Sequence, residues 1–435
     1  MIKKTSNALL GTFTASSLIL LLNFFTGIFL ARFLQPDGRG ALAAVLFWPH
    51  LIAGIGILSL NEAATYRTSK SGTDTSKVIS SGFWLALCLS FITILIGILL
   101  LPYLLGPERK ELLSLSQIYI LIYLPFNFIY LILFSSDLGQ LLFKRYNLIR
   151  LIQPMVYIVG LISIWIMDNV TVEKVVYVVL LSTVLSAIIK IMQDNRKIMI
   201  KPSWNEVKKL LSTGFSFHTT NLLTFANTEM DRLIIITLLD NTNVGIYAVA
   251  ITIASVGQGM ISHTFRTVLF PYISKSVNDI EQRTLIAESL RCVMLLLVVT
   301  TILLISICPW MIPFLFGKVF IHSVTPAIIL LVAFVPKALK NVMIYNLRSL
   351  GKAQPGTNAE IVALLVFSIC ALPLINSFEL IGAAVALMVS NIISLMYLSV
   401  YLYKNLDLSP FQWWGLNATT LRKIIYAGRS ILNAP

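Results

Sequence analysis

The sequence predicts an all-α polytopic membrane protein of about twelve transmembrane helices in two pseudo-symmetric six-helix lobes, and three observations carry that expectation. Hydrophobic residues make up 57% of the 435 and charged residues only 12%, with a mean hydropathy of +0.85, which lies outside the range of soluble domains. The apolar residues fall in runs of about 20, the length a helix needs to cross the hydrocarbon core. The longest polar interruption, KIMQDNRKIMIKPSWNEVKKLL, divides the chain almost in half.

The chain opens MIKKTSNALLGTFTASSLILLLNFF, a basic start and an apolar run such as a signal peptide also has. The run continues through Leu30 with no clear small-residue cleavage site after it, so a retained first span is expected. Breaks of charge, Pro and Gly then place spans near 8–31, 41–64, 79–102, 112–135, 149–167 and 171–191. A second set falls near 211–238, 245–270, 285–312, 324–348, 357–377 and 380–403. This gives an N-lobe at 1–195, a linker at 196–210, a C-lobe at 211–404 and a tail at 405–435. Trp204, Val207, Leu210 and Leu211, set against Lys208 and Lys209, suit a short helix on the membrane surface. Trp413 and Trp414 suit interface anchors.

Lys and Arg total 33 and the formal net charge is +14. In so apolar a chain this points to loops held by anionic headgroups and membrane lipids, not to nucleic acid. Arg32, Arg39, Arg109, Lys110, Lys174 and Lys318 fall on one side, and Arg232, Lys337 and Lys340 fall inside spans. The remainder gather on the side of the termini, so both termini are expected in the cytoplasm. Cys88, Cys292, Cys308 and Cys370 all lie in apolar stretches without metal-ligand spacing and read as buried apolar residues.

The two halves can be laid on one another. FLQPDGRGALA, between the first two spans, and LLDNTNVGIYA, between the seventh and eighth, align at a constant offset of 205. Leu34 then meets Leu239, Gly40 meets Gly245, Ala43 meets Ala248 and Gly54 meets Gly259. Parallel repeats of this kind are a mark of transporters with a central cavity between two lobes. Two unrelated hairpin turns remain the alternative.

GIFLARFLQPDGRGALAAVLFWP resembles the first hairpin of the polysaccharide repeat-unit flippases (the Wzx type, which includes O-antigen flippases of lipopolysaccharide assembly) in the multidrug/oligosaccharidyl-lipid/polysaccharide exporter superfamily. NTEMDRLIIITLLDNTNVGIYAVAITIAS is similar to the seventh and eighth spans of that family, where an acidic residue, an apolar run and a GxY turn recur. The resemblance implies translocation of undecaprenyl-diphosphate-linked oligosaccharide from the inner to the outer leaflet of the bacterial cytoplasmic membrane by alternating access, with polysaccharide polymerase machinery as a partner. Related lipid II flippases usually have fourteen spans and several arginines in the first two, whereas Arg32 and Arg39 stand only at the outer end of this hairpin.

An ionisable side chain in hydrocarbon costs roughly 2.5–3.5 kcal/mol on insertion scales, so each requires a partner or a wet cavity. Lys337 and Lys340 lie three residues apart on one face of the tenth span and are candidates to meet a diphosphate, with snorkelling or a carboxylate partner as the competing reading. Arg32 and Arg39 are candidates to receive an anionic headgroup, or plain loop cations. Glu229 and Arg232 have ion-pair spacing, and Asp231, pointing elsewhere, is a candidate for a coupling proton or sodium ion, with Glu229 beside it. At the offset of 205, Glu62 and Arg266 stand at the inner ends of spans two and eight, as a candidate gate. His50, His218 and His263 show no metal spacing and read as packed or hydrogen-bonded.

No nucleophile with a base, HExxH or nucleotide-binding glycine pattern occurs, and every outer loop is short, so neither an enzyme nor a cofactor is expected. A multidrug cation exporter of the same superfamily is the nearest alternative, and a membrane polysaccharide polymerase or ligase a more distant one. An exporter of cations would prefer acidic residues where this chain has Lys337 and Lys340.

Overall fold

The computed structural model describes residues 2–70, 72–167, 170–255, 279–350, 352 and 354–414. The described elements are helical, with no strand among them. They are α1 (Ile2–Gly56), α2 (Leu60–Ser69), α3 (Thr75–Leu105), α4 (Leu113–Gly139), α5 (Phe143–Ile166), α6 (Val172–Ile198) and α7 (Trp204–Leu238). After these come α8 (residues 241–255), α9 (Asp279–Phe316), α10 (Val324–Ser349), α11 (Gln354–Leu406) and the single turn α12 (Pro410–Trp413).

Eight stretches among the described residues are long and apolar enough to cross a membrane. Two of them are double. α1 and α11 have 55 and 53 residues, and a straight helix of that length would run roughly 80 Å, far beyond a hydrocarbon core of about 30 Å. Each is broken at one residue of positive φ, Gln35 (φ 58°) and Glu379 (φ 47°). The carbonyl of Leu374 lies against Gly382, a contact that a straight helix forbids. The predicted first and second spans are thus the two arms of α1, and the eleventh and twelfth are the arms of α11. α7 has the length to cross as well, but it carries Glu229, Asp231 and Arg232 within four positions.

Three local differences from the expected boundaries have physical causes. The second span ends at Gly56, because Leu58 (φ 50°) and Ser59 (φ 54°) take left-handed conformations before α2 starts a new direction. Residues 204–211 are the first turns of α7 and not a separate surface helix. α6 runs on to Ile198, so Lys190, counted with the charges on the side of the termini, lies well inside a helix and is fully buried.

The polypeptide divides into two compact units, Met1–Ala248 and Val249–Pro435. In the first, α4 packs on α2, α3 and α6, while α1 lies along α5, and α7 along α2 and α3. Tyr119, Ile120, Leu124 and Phe128 of α4 are wholly enclosed there. In the second, α10 packs on α9 and α11, around Leu290, Val293, Leu339, Met343, Leu398 and Leu402.

Both units repeat one motif. α3 ends at Gly106 (φ 71°), passes into a 3-10 turn at Pro107–Leu112 and continues as α4. α9 ends at Gly317 (φ 110°), passes into a 3-10 turn at Lys318–Ser323 and continues as α10. Glycine tolerates these positive angles, which L side chains resist. Asp74 and Thr171 cap α3 and α6 by accepting from first-turn amides.

Candidate functional site

α1 and α7, which carry Arg32, Arg39, Glu229, Asp231 and Arg232 of the residues singled out in the sequence, meet along a seam. It closes first at the turns. Gly40 lies so near Asn241 that a Cβ would overlap the Asn241 carbonyl oxygen, and a Cβ on Gly245 would overlap the carbonyl oxygen of Pro36. Pro36 and Asn241 are themselves related by the offset of 205, so the two contacts are reciprocal. The alignment of Gly40 with Gly245 therefore corresponds to a packed pair in space, each glycine admitting the other turn's backbone. Further along the seam the ring of Phe225 packs onto Gly54, and Gly214 approaches the Leu58 carbonyl.

Asp231 is buried on α7 and accepts a hydrogen bond at 3.4 Å from the hydroxyl of Tyr247, also buried. Tyr247 is the tyrosine of the GxY turn, so the acid and the turn of the motif are directly bonded. Glu229 pairs with Arg232 at 3.1 Å, as the spacing predicts, and Arg232 is half exposed. Arg39 lies within electrostatic reach of Arg232 and Tyr157, and its guanidinium Nε is buried with no hydrogen-bond partner among the described residues. Arg32 is exposed. His50 bonds the hydroxyl of Tyr119 at 3.1 Å and meets the ring of Tyr123 edge-on.

At the α2 end, Glu62 is exposed, and Arg266 lies outside the described residues, as does His263. A different charge pair stands there. Arg67 on α2 donates to both oxygens of Glu206 on the first turn of α7, at 3.0 and 2.7 Å. Burial alone would raise the Glu206 carboxyl, but the bonds from Arg67 and Lys209 outweigh it and hold it below the usual carboxylate range. Beside this pair, Asn221 donates to Ser59 at 3.0 Å, and His218 meets the same hydroxyl at 3.5 Å.

Lys190 is a residue that sequence reasoning missed. Its ammonium lies 2.6 Å from Asp137 and 2.7 Å from Asp194, all three side chains being buried, and Arg145 reaches the same two carboxylates at 3.3 and 2.7 Å. The i,i+4 spacing of Lys190 and Asp194 was the available signal.

In the second unit, Lys340 is buried and pairs with Glu360 of α11 at 3.0 Å. Lys337 is partly buried, with its ammonium 4.9 Å from the centre of the Phe334 ring. The positive charge of Lys340 is thus balanced by a carboxylate, while that of Lys337 lies against an aromatic face. No group of His, Cys, Asp and Glu among the described residues is arranged to hold a metal ion.

The family model for polysaccharide biosynthesis proteins matches residues 29–325, from the first arm of α1 into α10. The chain belongs to this family. No curated protein sequence matches. Among solved structures, the lipid II flippase MurJ in an inward closed conformation is similar at a TM-score of 0.75 and 15% identity, over 97% of this chain and 98% of that one. An inward-facing multidrug resistance MATE family transporter of the MOP superfamily is similar at 0.74 and 15%, over 92% and 99%. A MOP superfamily transporter from Pyrococcus furiosus, described by the reversed polarity of its binding pocket, is similar at 0.58 and 15%, over 92% and 94%. At these identities the shared property is the fold. This member of the polysaccharide biosynthesis family is therefore a multi-pass membrane protein with the MOP transporter fold, and its neighbours are transporters and flippases, not enzymes.

Proposed function

We propose that this protein flips undecaprenyl-diphosphate-linked oligosaccharide repeat units from the inner to the outer leaflet of a bacterial cytoplasmic membrane, with both termini in the cytoplasm. The observation that carries the reading is Arg39, at the turn between the two arms of α1, whose buried Nε has no hydrogen-bond partner among the described residues. Leaving a buried donor unmet costs roughly 1–3 kcal/mol, and more on a charged group, unless an anion or water meets it. A diphosphate headgroup supplies that anion, and Arg232, within electrostatic reach of Arg39, adds to the same field. Lys337, with Lys340 behind it, is proposed to receive the headgroup from the second unit. Arg32 is proposed to guide its arrival or release.

Alternating access is proposed to come from rocking of two six-span lobes, 1–195 and 211–404, joined by 196–210. The sugar and phosphates would cross in a polar cavity while the lipid tail stays in the bilayer. An inside-negative potential favours outward movement of an anion by about 2.3 kcal/mol per charge per 100 mV. Asp231, with Glu229, is proposed to couple the cycle to a proton or sodium ion, and Glu62 with Arg266 to close the inner end. Polysaccharide polymerase machinery would take up the product outside.

Export of organic cations is the second reading, and the acidic residues of α7 are what favour it. Against it, Asp231 is bonded to Tyr247 and Glu229 to Arg232. The test is reconstitution in liposomes with a short undecaprenyl-diphosphate oligosaccharide, comparing wild type with Arg39→Gln and Lys337→Met. Movement by wild type, with a tenfold or larger loss in the folded variants, is expected. Wild type that moves no lipid but exports organic cations would establish the second reading instead.

A further inference from the structure

In the first unit, one side chain ties three separate elements together at the end bearing the two reciprocal turns. Arg109 belongs to the 3-10 turn between α3 and α4 and is 7% exposed. Its Nε donates to the Asn241 side chain at 2.8 Å, and its two terminal nitrogens donate to the carbonyls of Ile236 at 2.5 Å and Leu239 at 2.8 Å. Ile236 lies in the last turn of α7, where carbonyls lack intrahelical partners and the helix dipole is negative, so a guanidinium is suited to them. Asn241 is held twice, by Arg109 at its side chain and by Gly40 at its backbone.

The second unit supplies an internal comparison. Arg109 is the third residue after the left-handed Gly106, and the third residue after Gly317 is Phe320, fully buried in its own unit. The repeated motif is therefore filled adequately by an apolar side chain. An arginine at this site instead spends its three hydrogen bonds on α7 and the turn that follows it. Such bonds are also reversible, because water can take up the freed carbonyls once the end opens.

We propose that Arg109 is the latch of a gate formed by the turns at 36–40 and 241–245: it holds this end of the first unit shut and releases α7 when cargo passes. This rests on the alternating-access reading above, and it makes Arg109 a positioning residue that touches no substrate.

The test uses full-length protein in liposomes, with Cys88, Cys292, Cys308 and Cys370 replaced by alanine and a single reporter, Val244→Cys, at a position buried beside Gly245. A membrane-impermeant maleimide is added from one face or the other. Arg109→Ala is expected to raise labelling from one face by tenfold or more at unchanged melting temperature. Arg109→Lys should raise it less, since an ammonium cannot span the three acceptors as a planar fork does. Gly40→Ala should reproduce the Arg109→Ala result, because its Cβ cannot coexist with the shut turn. Labelling unchanged in both Arg109→Ala and Gly40→Ala overturns the proposal. An equal rise from both faces with a lowered melting temperature also overturns it, by marking Arg109 as structural only. One-sided labelling in a protein whose wild type moves no lipid-linked oligosaccharide would uphold the gate while removing the substrate reading.

Discussion

Tyr247 donates to Asp231 at 3.4 Å within the interior of the first unit, so the acid of α7 and the turn that begins α8 form one polar unit. If Asp231 carries the coupling ion, Asp231→Asn should abolish the response of transport to an imposed proton or sodium gradient while movement driven by membrane potential persists. Tyr247→Phe removes a single long hydrogen bond, worth about 1 kcal/mol, and should change the rate by roughly fivefold without abolishing that response. Both are read as initial rates in liposomes with gradients set independently. A response that survives in Asp231→Asn removes Asp231 from coupling.

Lys190→Met should be among the most damaging single changes in the first unit. It leaves Asp137 and Asp194 buried beside one another with only the partly exposed Arg145 and Lys197 to balance them. Removing one member of a buried ionic group typically costs about 3–5 kcal/mol. Thermal unfolding in detergent should show a clear fall in melting temperature, and an unchanged value would mean that the network contributes little.

The Lys340–Glu360 pair separates stability from binding. Lys340→Met should destabilise by about 3–5 kcal/mol through loss of its buried pair with Glu360, and Lys340→Met with Glu360→Leu should recover most of the loss. Lys337→Met removes an ammonium that lies over the Phe334 ring, and should lower binding of the lipid-linked oligosaccharide with a smaller fall in melting temperature. Equal losses of stability in both single variants would refute that division.

Glu206 gives a pH dependence of definite sign. Its carboxyl is held below the ordinary value of 4.5 in the folded protein, by Arg67 and Lys209 against the opposing effect of burial. A depressed carboxylate contributes stability that is present above its unfolded value and lost as pH falls through the folded one. Melting temperature should therefore drop more steeply below pH 4.5 in wild type than in Glu206→Gln. Identical acid limbs would show that the Arg67 contact adds nothing in solution.

Some of this was legible before any coordinates because its physical cause is local. Apolar run length sets where helices cross, and i,i+3 spacing brought Glu229 to Arg232. The offset of 205 found Gly40 and Gly245, because close backbone packing leaves room for no other residue at either place. Arg109 gave no such signal, since its acceptors lie 127 to 132 positions away. Arg67 and Glu206 are separated by 139 positions, and Lys190 and Asp137 by 53.

By itself, then, the sequence determined a bundle of membrane-spanning helices and some of the charges inside it, Asp231 and Lys340 among them, since hydropathy and helical period act over neighbouring residues. Only the tertiary structure decided how those charges are accommodated: Lys340 against Glu360, Asp231 under Tyr247, Lys190 between two aspartates, and Arg109 across the end of α7. A buried charge takes its partner from whichever helix packs beside it, and helix packing is fixed by contacts between residues far apart in the chain.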